Sequence, residues 1–96
     1  MSQALFPLGQ VVATPGALEA MREHGIDPVS ILARHVILDP GQLDAHDRKA
    51  NRDALKSGAR IFSAYMVGEV RVWCITEGTD DDGNRASTCI LLPSEY

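Results

Sequence analysis

Ninety-six residues, 45% hydrophobic and 23% charged, suffice for one folded domain over residues 1–96 with a single modest core, and describe a globular chain rather than a disordered one. The net charge of -4 weighs against a dedicated nucleic-acid binder, because neutralising phosphates requires a basic face. No apolar run reaches membrane-spanning length, and the opening Met-Ser-Gln-Ala-Leu-Phe-Pro lacks a basic segment followed by an apolar one, so the chain reads as cytoplasmic and without a membrane partner.

In chain order, residues 5–13 read as an extended segment. Pro7 has no N–H and Gly9 no side chain to pack, which predicts an edge strand or an irregular arm. Thr14-Pro15 is a helix start, a capping hydroxyl followed by a ring preset for the first helical position. Ala17, Leu18 and Met21 form its apolar stripe, and Gly25 its left-handed stop. Asp27-Pro28 repeats the device, with Val29, Leu32 and Val36 at helical spacing, ending before Asp39-Pro40-Gly41. Asp44 caps a third helix over residues 45–57, stopped by Gly58, whose buried side is read as Ala50, Ala54 and Leu55.

The third helix carries the one concentrated charge feature. Arg48, Arg52, Lys56 and Arg60 recur every four residues, the first three on one helix face with Lys49 beside them. Like charges at that spacing repel in isolation and become favourable beside an anionic partner. As a solvated face they would pair instead, Asp44 with Arg48 and Asp53 with Lys56, for little stability.

Three short runs of β-branched, aromatic and aliphatic residues follow, at 60–66, 69–77 and 87–93, separated by Val67-Gly68 and by the loop 78–85, which reads as polar and exposed. They predict an antiparallel meander. Val70, Val72, Cys74 and Thr76 share a nearly pure core face, while Arg71, Trp73, Ile75 and Glu77 point to a partly wet one. The fold class is therefore α+β, three short helices packed on one face of a small antiparallel sheet with an N-terminal edge strand. Cys74 and Cys89 read as reduced core thiols.

No intact motif for a metal, a cofactor or a nucleophile is present. Asp80, Asp82 and Asn84 alternate as at the start of a calcium loop, but Arg85 and Leu91 stand where such a loop needs glycine and glutamate. His24, His35 and His46 are widely spaced and form no ligand pair with Cys74 or Cys89. Two function classes remain. One is a non-enzymatic interaction module that binds a protein or nucleic-acid partner through Arg48, Lys49, Arg52 and Lys56 or the open sheet face. The other is a metal-independent ribonuclease in which His35 acts as base, Arg34 or Arg60 stabilises the phosphorane, and Ser63, Thr76 and Thr88 donate hydrogen bonds. Glu77, Glu95 and Tyr96 leave a homodimer open.

A wider pattern carries a resemblance. It comprises Pro7-Leu8-Gly9, Val12-Ala13-Thr14-Pro15-Gly16-Ala17-Leu18, Arg34-His35, Asp47, Asn51, Ala54-Leu55, Gly58 and Arg60. It continues through Ser63-Ala64-Tyr65, Trp73-Cys74-Ile75-Thr76-Glu77 and Ile90-Leu91-Leu92-Pro93-Ser94-Glu95-Tyr96. Over residues 5–96 the chain resembles a widespread family of small bacterial proteins often labelled plasmid-related, and sometimes mislabelled as type I restriction enzyme subunits. The resemblance implies a mobile-element protein and brings no established activity. Two stretches depart from it. Leu38-Asp39-Pro40-Gly41 stands where the family has Gly-Asp-Trp-Gly, and the acidic loop after Glu77 is longer, with Cys89 in place of one of two paired threonines. The element order also resembles the fold of barnase-type and RelE-type ribonucleases, a likeness of fold and not of function.

Overall fold

A computed structural model describes residues 4–96; the part of the leader reading that falls on residues 1–3 lies outside the described residues. All three helix starts form from the residues that signal them. The Thr14 hydroxyl accepts from the Ala17 N–H (3.3 Å) ahead of α1 (Pro15–Glu23), and Asp27 accepts from Val29 (2.9 Å) ahead of α2 (Pro28–His35). Asp44 accepts from Asp47 (2.8 Å) ahead of α3 (Ala45–Ser57). Gly58, at φ +80, closes α3 by donating to Ala54. After α2 the chain turns at Leu38 (φ +57) and Gly41 (φ +54), where a side chain's first carbon would fall 2.3 Å from the Ala64 carbonyl oxygen.

The sheet contains β1 (Gln10–Ala13), β2 (Ile61–Val67), β3 (Val70–Thr76) and β4 (Ser87–Leu91) in the order β1-β4-β3-β2. Strands β2, β3 and β4 form the expected antiparallel meander, its first turn at Gly68-Glu69, one residue later than Val67-Gly68. The edge strand is real, but β1 runs parallel to β4, so the sheet is mixed rather than purely antiparallel. A single 3-10 turn, Pro93–Glu95, follows β4. The Glu95 carboxylate accepts from the Thr14 hydroxyl and from the Gly16 N–H (3.1 Å), anchoring the C-terminal turn where the dipole of α1 favours negative charge.

The helices cover one sheet face, α1 over β4, α2 over β3 and α3 beside β2. Ala17, Met21 and Ile31 meet Tyr65, Val67, Val72, Cys74 and Ile90 in the main core, and Phe6, Ala54 and Ile61 form a smaller one. The predicted helix stripes are out of phase in places. Leu18, Val29 and Ala50 are exposed, whereas Ala20, Ile31, His35 and Asn51 are buried. In helices of eight to thirteen residues with few large apolar groups, tertiary contacts decide which face turns inward. Asn51 is buried because its side-chain amide pairs with the edge of β2, donating to the Phe62 carbonyl (2.6 Å) and accepting from the Phe62 N–H (3.0 Å).

Arg85 corrects the reading of loop 78–85 as fully exposed. It is buried, and its guanidinium donates to the carbonyls of Ala59 (2.7 Å), Glu77 (3.0 Å) and Ala54 (3.1 Å). A cation there meets the negative end of the α3 dipole and adds a second donor to the Ala54 carbonyl, which already accepts from the Gly58 N–H. Burial pulls the Arg85 pKa down, without threatening its charge.

Candidate functional site

The sheet brings Ser63, Thr76 and Thr88 onto the helix-facing side, and α2 places His35 above them. Thr76 and Thr88 are direct cross-strand partners, and Ser63 pairs with Cys74 two residues away on β3. His35 Nδ1 lies 2.7 Å from the Ser63 hydroxyl and Nε2 lies 2.8 Å from that of Thr76. Thr76 lies 2.7 Å from Thr88, which donates to the Leu8 carbonyl at 2.7 Å. The Phe6 ring closes over the imidazole edge-to-face, with centroids 5.2 Å apart.

The order of protons along this chain follows from its last acceptor. A carbonyl oxygen only accepts, so the Thr88 proton goes to Leu8. Thr76 must then donate to Thr88 and accept from Nε2–H, which leaves Nδ1 as the lone pair that receives the Ser63 proton. Both ring nitrogens are thus engaged in one neutral tautomer. His35, Ser63, Thr76 and Thr88 have no exposed surface, and burial pulls the His35 pKa from 6.5 down to about 4.

The two arginines of the ribonuclease reading are not in this cluster. Arg34 points outward, donating to Asp39 (Nε–Oδ2 2.8 Å) with its guanidinium 4.2 Å above the Tyr65 ring. The Tyr65 hydroxyl donates to the Asp39 carbonyl (2.9 Å), and burial pushes its pKa up to about 12. Arg60 reaches the opposite side of the sheet, where it donates to the Tyr96 hydroxyl at 2.9 Å. Strand alternation accounts for this, since Ile61, Ser63 and Tyr65 face the helices and position 60 falls in the other phase.

The basic residues of α3 also separate. Arg48 and Arg52 line a cleft of about 500 Å³ with Leu5, Ile37, Leu38, Pro40, Asn51 and Leu55. Leu5, Ile37 and Leu55 are exposed there. Lys49 instead pairs with Asp53 (2.8 Å), and Lys56 is exposed outside the cleft lining. Neither Asp44–Arg48 nor Asp53–Lys56 forms: Asp44 is occupied as a cap and Asp53 by Lys49. Among the described residues, no salt bridge holds Arg48 or Arg52.

A second depression, of about 280 Å³, lies on the helix-free sheet face among Arg60, Phe62, Trp73, Ile75 and Tyr96. Phe62 and Trp73 meet edge-to-face at 5.1 Å, and Trp73 meets Tyr96 at 5.7 Å. The alternation of β3 signalled that Trp73 faces outward; the arrival of Tyr96 beside it had no sequence signal. The two cysteines are free and sit on opposite sheet faces, with burial raising the pKa of both thiols, Cys74 to about 12. The chain matches no family model, no curated protein and no solved structure.

Proposed function

We propose that this protein is a non-enzymatic interaction module, of the mobile-element kind its sequence resemblance implies, that receives a partner in the cleft between α3 and the α2–α3 connection. One observation carries the reading: among the described residues Arg48 and Arg52 have no carboxylate partner, and they stand beside exposed Leu5, Ile37 and Leu55. In a chain of net charge -4, two unneutralised guanidinium groups beside exposed aliphatic side chains suit acidic groups flanking an apolar anchor. That composition favours an acidic protein segment over nucleic acid, whose backbone offers phosphates but no aliphatic side chain. What weighs against the ribonuclease reading is that His35 has neither a free ring nitrogen nor a path to solvent.

The test is selection from a displayed library of fifteen-residue peptides, with the Arg48→Glu/Arg52→Glu double variant as counter-target. The expected result is enrichment of peptides with Asp or Glu around aliphatic or aromatic anchors, abolished by the double variant. Enrichment that survives charge reversal, or none at all, would contradict the reading. A single-stranded RNA of matched length binding more tightly than the selected peptides would transfer the cleft to nucleic acid.

A further inference from the structure

The two edges of the sheet are finished differently. Along β2, the Asn51 amide occupies both backbone groups of Phe62, and the Gln42 N–H donates to the Ala64 carbonyl at 2.8 Å. Along β1, Gln10 and Thr14 donate to Ala86 (3.0 Å) and Ile90 (2.9 Å) of the β4 side. That phase turns positions 10, 12 and 14 inward and leaves the N–H and C=O groups of Val11 and Ala13 facing out. No hydrogen bond reaches those outward groups from the described residues.

Sheet edges are normally protected by a charged side chain, a proline within the strand or a bulge. β1 has none of these: it reads Gln-Val-Val-Ala, pairs with β4 without interruption, and exposes Val11 and Val12 by more than two-fifths. The stretch from position 5 to position 18 contains no charged residue, so β1 itself brings no like charges to a second copy; the Glu95 carboxylate stands beyond the strand's end, at Thr14 and Gly16.

We propose that this edge pairs with a second copy of the chain, β1 antiparallel to β1 about a two-fold axis through Val12. In that register Val11 of each copy exchanges both backbone hydrogen bonds with Ala13 of the other, satisfying all the outward groups of both strands. The pairing stops at each end for a reason present in the sequence. Pro15, which has no N–H, falls opposite Gly9 of the other copy, which has no side chain and a φ of +65. The result is one continuous eight-stranded sheet, with the α3 clefts at its two far ends, available to two partner segments at once. Four-residue strands cover less than the roughly 800 Å² per partner of a stable interface, so the dimer forms only in concentrated solution.

The register makes a sharp test. Val12 faces its own copy as a non-hydrogen-bonded pair, with Cα atoms about 4.5 Å apart, inside the range a disulfide spans. Val11 faces Ala13 and has no such self-pair. In a Cys89→Ser background, needed because Cys89 neighbours Val12 across the β1–β4 ladder, Val12→Cys should oxidise to a dimer of twice 10.4 kDa, while Val11→Cys stays monomeric. In the unmodified protein, the amides of Val11 and Ala13 should exchange more slowly as concentration rises, with those of Gln10 and Val12 unchanged. Equal cross-linking at positions 11 and 12, none at position 12, or exchange independent of concentration would each overturn the proposal.

Discussion

Lowering the pH from about 7.5 to about 5 should destabilise this protein by about 2 kcal/mol through His35 alone. The imidazole is neutral in the fold because Nε2–H is committed to Thr76 and Nδ1 to Ser63, and because Phe6 and the sheet keep water away. Its folded pKa lies at about 4, against 6.5 in the unfolded chain. A depressed pKa means the unfolded state binds the proton first, so the contribution is fully present above pH 6.5 and is lost as pH falls toward 4. The difference between 6.5 and about 4 corresponds to about 3 kcal/mol, of which more than half is lost by pH 5. For a domain of this size that lowers the thermal midpoint by roughly 8 to 16 °C. Asp39 and Glu95, whose pKa values are held down by Arg34 and by Thr14 respectively, lose their contributions only as pH drops below the ordinary carboxylate range. Urea unfolding followed by the fluorescence of Trp73, the single tryptophan, measures the loss at each pH. His35→Gln should flatten the profile between pH 7 and 5 while lowering stability throughout. A wild-type profile flat over that interval, or a His35 ring that titrates near 6.5 by nitrogen NMR, would show that the fold does not hold His35 neutral.

Arg85→Ala removes donors to three carbonyls around the end of α3 and should destabilise by about 3 kcal/mol in urea unfolding, with Arg85→Lys recovering only part because an ammonium lacks the planar fork. Asn51→Ala frees both backbone groups of Phe62 and should cost about 2 kcal/mol, with faster amide exchange at Phe62 than in the wild type. Ser63→Ala removes the donor to His35 Nδ1 and should cost about 1 to 2 kcal/mol, leaving the Nε2–H resonance in place because Thr76 still accepts from it. Arg48→Glu/Arg52→Glu lies on an exposed helix face and should leave stability within about 0.5 kcal/mol of wild type by thermal unfolding.

What the sequence makes legible here is local chemistry. Thr14-Pro15, Asp27-Pro28 and Asp44 start helices because a short polar side chain satisfies nearby N–H groups whatever the rest of the chain does. The meander and its core face follow from strict alternation, which also put Thr76 and Thr88 within reach of each other. Long-range choices left no such trace. Whether β1 runs with or against β4 depends on how three helices return the chain to the sheet. Arg85 closes an acidic loop and looks solvated; only the folded position of the α3 C-terminus gives it carbonyls to bind. Leu18 outside and Ala20 inside show the same limit on a smaller scale, since nine residues with few bulky apolar groups do not fix a helix's rotation. Within the candidate site, the four-residue spacing found Arg48 and Arg52, but the aliphatic wall that makes their cleft comes from positions 5, 37 and 38.

The most direct measurement is amide chemical-shift mapping on the isotope-labelled protein, titrated with an acidic peptide selected as above. Saturable shifts are expected only in the cleft, at Ile37, Arg48, Arg52 and Leu55, with the Nε2–H of His35 unmoved. Shifts centred on Phe62, Trp73 and Tyr96, or a ligand that displaces the His35 hydrogen bonds, would contradict the proposed function.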